Sequence, residues 1–216
     1  MTMHEDLKAV AVLKRHGDID GAELLLSKYL FDSSTREDRW QSLCVLYTFA
    51  LVEGHLDRAG RYARQLVEAD PNDAFAHDCL GRVLRMIGDV AGAEKEARSA
   101  LDLAMRENDP SRFAYATDLA EVLMLQGKFD ECRRVAQADW KPEDESGGLV
   151  SPSARVSRLV LLGRVSRELG QCCEAVGFYR LATRTAVSMR TPVTGLNTLF
   201  EELARSLQEC KANHDL

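Results

Sequence analysis

The chain has 216 residues, of which 45% are hydrophobic, 29% charged and 6% aromatic, with 5 prolines and 14 glycines. That much apolar material excludes wholesale disorder, and the dominance of Ala, Leu, Arg and Glu speaks against a β-sandwich or barrel and for an all-α chain. A net charge of −6 excludes a general nucleic-acid binder, which needs a basic footprint to release counterions from phosphate.

In chain order, the opening MTMHEDLKAV carries acids ahead of a short apolar stretch and does not read as a signal peptide. Helices are expected in pairs: Met3 to His16 with Ile19 to Phe31, then Arg36 to Glu53 with Leu56 to Ala69, then Asp73 to Ile87 with Val90 to Asn108. Two further pairs are Ser111 to Gln126 with Phe129 to Trp140, and Pro152 to Leu169 with Cys172 to Arg190. Asp109-Pro110 and Ser151-Pro152 each supply a cap followed by a proline suited to a first helical turn. The expected hairpins are therefore 3–31, 36–69, 73–108, 111–140 and 152–190, with a polar, acidic loop at 141–151. A last helix, 192–212, would cover the apolar face of the final hairpin, and the whole chain, 1–216, reads as one domain. The longest apolar run, Leu43 to Val52, is about half of what a bilayer needs, so a cytoplasmic protein without membrane insertion is expected.

A small motif, Gly followed five residues later by Ala, recurs as Gly17/Ala22, Gly54/Ala59, Gly88/Ala93 and Gly170/Ala175, with Gly127/Cys132 as a near match. Successive glycines stand 37, 34, 39 and 43 residues apart. Each lies where one helical pattern ends and the next begins, as a residue that accepts φ > 0 does at a helix C-terminus. Asp18 and Asp89 follow two of them and can cap the next helix. Upstream, Leu43/Leu46/Ala50, His77/Leu80/Leu84, Ala116/Leu119/Leu123 and Leu159/Leu162 keep steps of three and four, one helical face. Downstream, Ala59/Ala63, Ala93/Ala97 and Ala175/Tyr179 place mostly small residues one turn apart.

On these residues the chain resembles the tetratricopeptide-repeat (TPR) family, whose pattern is W-x2-L-G-x2-Y, then A-x3-F, then P. Leu80, Gly81 and Ala93 fall on motif positions, Pro71 matches the family proline, and Gly163 with Ala175-x3-Tyr179 matches in the fifth hairpin. The departures are His77 in place of the tryptophan, Tyr47 in place of the small residue after the leucine, and Ala97 where the pattern has an aromatic. The resemblance implies a right-handed superhelical solenoid of antiparallel helix hairpins that presents a concave surface.

No catalytic constellation is present. His4, His16, His55, His77 and His214 contain no HExxH pair, and neither GxSxG nor a phosphate-cradling loop occurs. The cysteines, Cys44, Cys79, Cys132, Cys172, Cys173 and Cys210, contain no CxxC and no zinc spacing. They read as reduced thiols of a helical core, the alternative being a redox switch at the vicinal Cys172-Cys173. A non-enzymatic protein with no metal and no cofactor is expected.

The TPR resemblance implies that the first helix of each hairpin lines the inner wall with the face turned away from the leucines. That face carries Phe75, Asp78, Arg82 and Arg85, then Thr117, Glu121 and Met124, then Ser157, Val160, Arg164 and Arg167. Arginine pairs at 82/85 and 164/167 suit carboxylates, because guanidinium binds them in a fork. The expected site is thus Arg82, Arg85, Arg164 and Arg167 as anionic anchors with Phe75 and Met124 as apolar ones, and the partner another protein or peptide with an acidic segment. In the alternative, the arginines pair with Asp78, Glu121 and Glu168 on the same surface. The expected function is a protein-interaction adaptor. Two others stand beside it: a ligand- or peptide-sensing regulatory module of a bacterial signalling or transcription system, and a homo-oligomeric scaffold joined through the C-terminal helix.

Overall fold

The computed structural model describes residues 3–30, 35–138, 151–189 and 196–214. Residues 141–150 of the expected acidic loop, Trp140, and the expected helix ends at 31, 190 and 192 lie outside them. Among the described residues the regular structure is helical, with no strand. The chain divides into two compact units, Met1–Leu103 and Ala104–Leu216, with the boundary inside one helix.

The first unit contains α1 (Met3–Arg15), α2 (Ile19–Leu30), α3 (Arg36–Val52), α4 (Leu56–Ala69), α5 (Ala74–Met86) and most of α6 (Val90–Glu107). Each of α1 to α4 packs on the helix that follows it. The core contains the expected ladder of α3, Leu43, Leu46 and Ala50, joined by Phe49, all buried with Leu26 of α2 and with Ala59, Ala63 and Leu66 of α4. The second unit contains α7 (Arg112–Leu125), α8 (Phe129–Gln137), α9 (Pro152–Glu168), α10 (Cys172–Ser188) and α11 (Leu196–His214). There α7 packs on α8 and α9, α8 on α9, α9 on α10, and α10 on α11. Leu159 of α9 and Tyr179 of α10 are buried in one cluster with Leu199 of α11.

The helix-to-helix turns share one geometry. Gly17, Gly54, Gly88, Gly127 and Gly170 all have φ between 68° and 87°. At Gly54 the left-handed residue lets His55 N donate to Ala50 O (2.8 Å) and Gly54 N to Leu51 O (3.2 Å), which satisfies carbonyls that the end of α3 would otherwise leave bare. Asp89 N to Leu84 O and Gln171 N to Ser166 O repeat the first of these bonds. The helices after two of these turns, α2 and α6, are capped as their sequence suggests: Gly21 N donates to Asp18 Oδ1 (2.8 Å) and Gly92 N to Asp89 Oδ1 (2.9 Å). Ser151 caps α9, with Pro152 in its first turn. Asp109 instead closes the turn before α7 by accepting from Ser111 N, and α7 starts at Arg112.

The α1–α2 hairpin is latched by a buried carboxylate. Asp6 Oδ2 lies 2.6 Å from Lys28 Nζ and accepts from the Tyr29 hydroxyl at 2.7 Å. The Lys28 and Tyr29 contacts hold the Asp6 carboxyl below its ordinary value of 3.8. A carboxyl depressed in the folded state stabilises above its unfolded value and loses that contribution as pH falls through the folded one. The thermal midpoint should therefore drop from pH 5 to pH 2 more steeply for the native chain than for Asp6→Asn. Parallel slopes would show that the latch does not carry the acid sensitivity.

Candidate functional site

In the first unit, α5 presents one face through Phe75, Asp78, Arg82 and Arg85, spaced by three and four residues. Asp73 fixes the start of this helix. Its Oδ1 accepts from Phe75 N (2.9 Å) and its Oδ2 from Trp40 Nε1 of α3 (2.9 Å). The same junction stacks Trp40 on Phe75, ring centroids 5.9 Å apart and tilted by 50°. Asp78 is buried, and Arg82 Nη1 stands 3.9 Å from its Oδ2 while the Arg82 side chain remains 47% exposed. Arg85 is half-buried on the next turn. Tyr47, Cys44 and Cys79 belong to the same core cluster; burial pushes the Cys44 thiol up to about 12 and raises Cys79 as well, which disfavours the thiolate at both.

In the second unit the corresponding face is occupied by the chain itself. Arg158 of α9 is only 2% exposed and reaches α7, where its Nε donates to Thr117 Oγ1 (3.0 Å) and its Nη2 to Phe113 O. Its guanidinium sits 5.6 Å from the Phe113 ring centroid, and its Nη1 is buried without a hydrogen-bond partner. Burial lowers the Arg158 pKa to about 10. Arg164 is forked onto Glu202 of α11, with Nη2 and Nε at 2.7 and 2.8 Å from Oε1. Arg167 lies 3.8 Å from Glu168 and close enough to Tyr179 to act on its hydroxyl. Met124 is half-buried on α7.

The expected site residues therefore fall into two groups: Phe75, Arg82 and Arg85 share one helix face of the first unit, and Met124, Arg164 and Arg167 belong to the second. Sequence reasoning did not foresee Arg158, Glu202 or the Trp40–Phe75 stack. Among the described residues no cluster of His, Cys, Asp and Glu could hold a metal, and no helix is long and apolar enough to cross a membrane.

No family model matches the chain, and no curated protein sequence matches it. Solved structures do. BtubC from P. vanneervenii superposes with a TM-score of 0.70 at 15% identity, over 85% of this chain and 79% of that one. Cut9 in the Cut9–Hcn1 hetero-tetramer of the APC/C gives 0.64 at 14% identity, over 93% of this chain and 35% of that chain. TTC0263, a thermophilic TPR protein of Thermus thermophilus, gives 0.62 at 18% identity, over 96% of this chain and 100% of its own. The fold is a TPR fold.

The TPR positions explain local packing. Gly81 of α5 faces α6, and a Cβ there would stand 3.4 Å from Ala97 N; Gly163 of α9 faces the Tyr179 ring, where a Cβ would lie 2.7 Å from Cε1. His77, which replaces the TPR tryptophan, joins Glu96 of α6 (Nδ1 to Oε2, 2.6 Å) to the carbonyl of Pro71, the TPR proline (Nε2 to O, 3.0 Å). A polar bridge thus does the work of an aromatic wedge at the base of this hairpin.

Proposed function

We propose that the chain is a non-enzymatic protein-interaction adaptor that holds an acidic segment of another protein along the exposed face of α5. The observation that carries this reading is the α5 face itself, where the Phe75 ring, braced on Trp40, lies two helical turns from the exposed Arg82 guanidinium and three from Arg85. An apolar anchor beside cationic forks is the combination that binds a short acidic peptide with register. The TPR fold supports it as a repeat scaffold, and one structural neighbour, Cut9, is seen in a complex with a second protein. The cytoplasm is the proposed site of action, since six cysteines without a disulfide framework suit a reducing compartment.

In the second unit Arg164 is engaged by Glu202 of α11, which offers a face of different composition for comparison. Affinity capture with the native chain, Arg82→Glu/Arg85→Glu and Arg164→Glu separates the two faces. The α5 double variant is expected to lose at least about tenfold of the partner recovered by the native chain, the scale of a single hot-spot loss. The Arg164 variant should keep most of it. Equal recovery of every partner by all three proteins would remove the α5 face as the binding site.

A further inference from the structure

The first helices of the hairpins bury the same positions. In α3 these are Leu43, Leu46, Tyr47 and Ala50, in α7 Ala116, Leu119, Ala120 and Leu123, and in α9 Leu159, Leu162, Gly163 and Ser166. The residue just before the first and the one just before the last of each set are buried too: Ser42 and Phe49, Tyr115 and Val122, Arg158 and Val165. α11 repeats the register as Phe200, Leu203, Ala204 and Leu207, the aromatic-x2-Leu-small-x2-large spacing of a TPR first helix. Its Leu199 and Ser206, at the two preceding positions, are buried as the register requires, and α11 packs on α10. The other edge differs. Phe200 is 44% exposed and Ala204 is exposed, whereas their counterparts in α3, α7 and α9 are buried. In the complete hairpins the second helix covers this edge: Gly163, the counterpart of Ala204, faces the Tyr179 ring of α10, and Gly81, its counterpart in α5, faces the backbone of α6. Among the described residues no second helix covers the edge of α11, whose extensive contact is with α10.

We propose that this edge of α11 pairs with the same edge of a second copy of the chain, so that two half-hairpins complete each other across a two-fold axis. The pairing is antiparallel, as it is between the two helices of a hairpin. Reversed against itself about a centre between Glu202 and Leu203, the edge is self-complementary. The large Phe200 meets the small Ala204 of the second copy, as the large Tyr179 meets Gly163 within the fifth hairpin. Along the flank of the same edge, Glu201 meets Arg205 of the second copy and Asn197 meets its Gln208, all four being exposed in the single chain. The two-fold axis makes each of these contacts twice. It also fixes the direction, because a parallel pairing would set Glu201 against Glu201 and Arg205 against Arg205. Charge and shape thus specify a second copy as the occupant. The inference is independent of the α5 face, which belongs to the first unit.

The test is sedimentation equilibrium of the full chain over a wide range of concentration. The native chain is expected to reach twice its mass of 24.1 kDa and no higher species. Phe200→Asp should raise the dimer dissociation constant by at least about a hundredfold, since it removes the apolar anchor from both copies, while circular dichroism confirms that the helices persist. Glu201→Arg and Arg205→Glu should each weaken the dimer by about tenfold, because each creates two like-charge pairs. Two rescues are specific to the antiparallel register: Glu201→Arg/Arg205→Glu should dimerise as the native chain does, and an equimolar mixture of the two single variants should form a heterodimer. These surface variants keep the register testable even if Phe200→Asp fails to fold. A native chain that stays monomeric at every concentration, a dimer that Phe200→Asp leaves unchanged, or the absence of both rescues would overturn the proposal.

Discussion

Tyr179→Ala is expected to destabilise the second unit by about 3 to 5 kcal/mol, the range for removing a fully buried aromatic side chain. The ring has no exposed surface and sits between α9 and α10, against the bare backbone of Gly163 and in one cluster with Val156, Leu159 and Leu199. Gly163, which faces the ring, has no side chain to fill the volume that would be left. The complementary change tests the same contact from the other side. Gly163→Ala gains about 1 kcal/mol of helix propensity, yet its Cβ would stand 2.7 to 2.9 Å from three ring atoms, so a net loss of about 1 to 2 kcal/mol is expected. Gly81→Ala meets only contacts of 3.4 to 3.5 Å, because Ala97 stands where Tyr179 does in the other hairpin, and should be neutral within about 1 kcal/mol. Urea unfolding of the three variants checks the order. If Gly81→Ala costs as much as Gly163→Ala, the ring is not the cause.

Arg158→Met is expected to leave the second unit as stable as before or to stabilise it by about 1 to 2 kcal/mol at pH 7, an unusual sign for a core substitution. No carboxylate lies within ion-pair distance of this guanidinium among the described residues, and the lowering of its pKa to about 10 corresponds to about 3 kcal/mol of penalty on the charged form. Against that stand two hydrogen bonds, to Thr117 and Phe113, and the contact with the Phe113 ring. Methionine keeps the apolar stem and the ring contact and removes the charge. The direction of the shift sets the pH dependence. A base with a lowered folded pKa binds fewer protons folded than unfolded above about pH 10, so native stability from this group rises with pH there. The advantage of Arg158→Met should shrink over the same interval, as measured by denaturant midpoints at pH 7 and pH 10.5. A loss of more than about 1 kcal/mol at pH 7 would show that the Thr117 and Phe113 bonds outweigh the buried charge.

The fold was legible because its signals are local. A glycine that must take positive φ, an aspartate able to cap the next helix, and apolar residues at steps of three and four each act within a few residues, and the all-α TPR fold is their sum. The candidate site was only partly legible. Periodicity alone places Phe75, Arg82 and Arg85 on one face, but the engagement of Arg164 depends on where α11 lies, and Glu202 is 38 residues downstream. Arg158 was hidden by a sound general rule, that arginine is seldom buried; in the sequence it stands beside Leu159 and reads as a solvated neighbour of the core. The Trp40–Phe75 stack had a weak signal in Asp73, whose second oxygen reaches across to the indole after the first has capped α5.

Within each unit, the extensive helix contacts join elements that are one or two places apart along the chain. Bringing such neighbours together closes only short loops, so little entropy is lost before the first contacts form. Folding can then begin in any hairpin and spread outward, with rates set by helix formation and local docking rather than by a search for a distant partner. A nascent chain of this kind can start to acquire structure on the ribosome as soon as its first two helices have emerged, with no need to wait for its C-terminus.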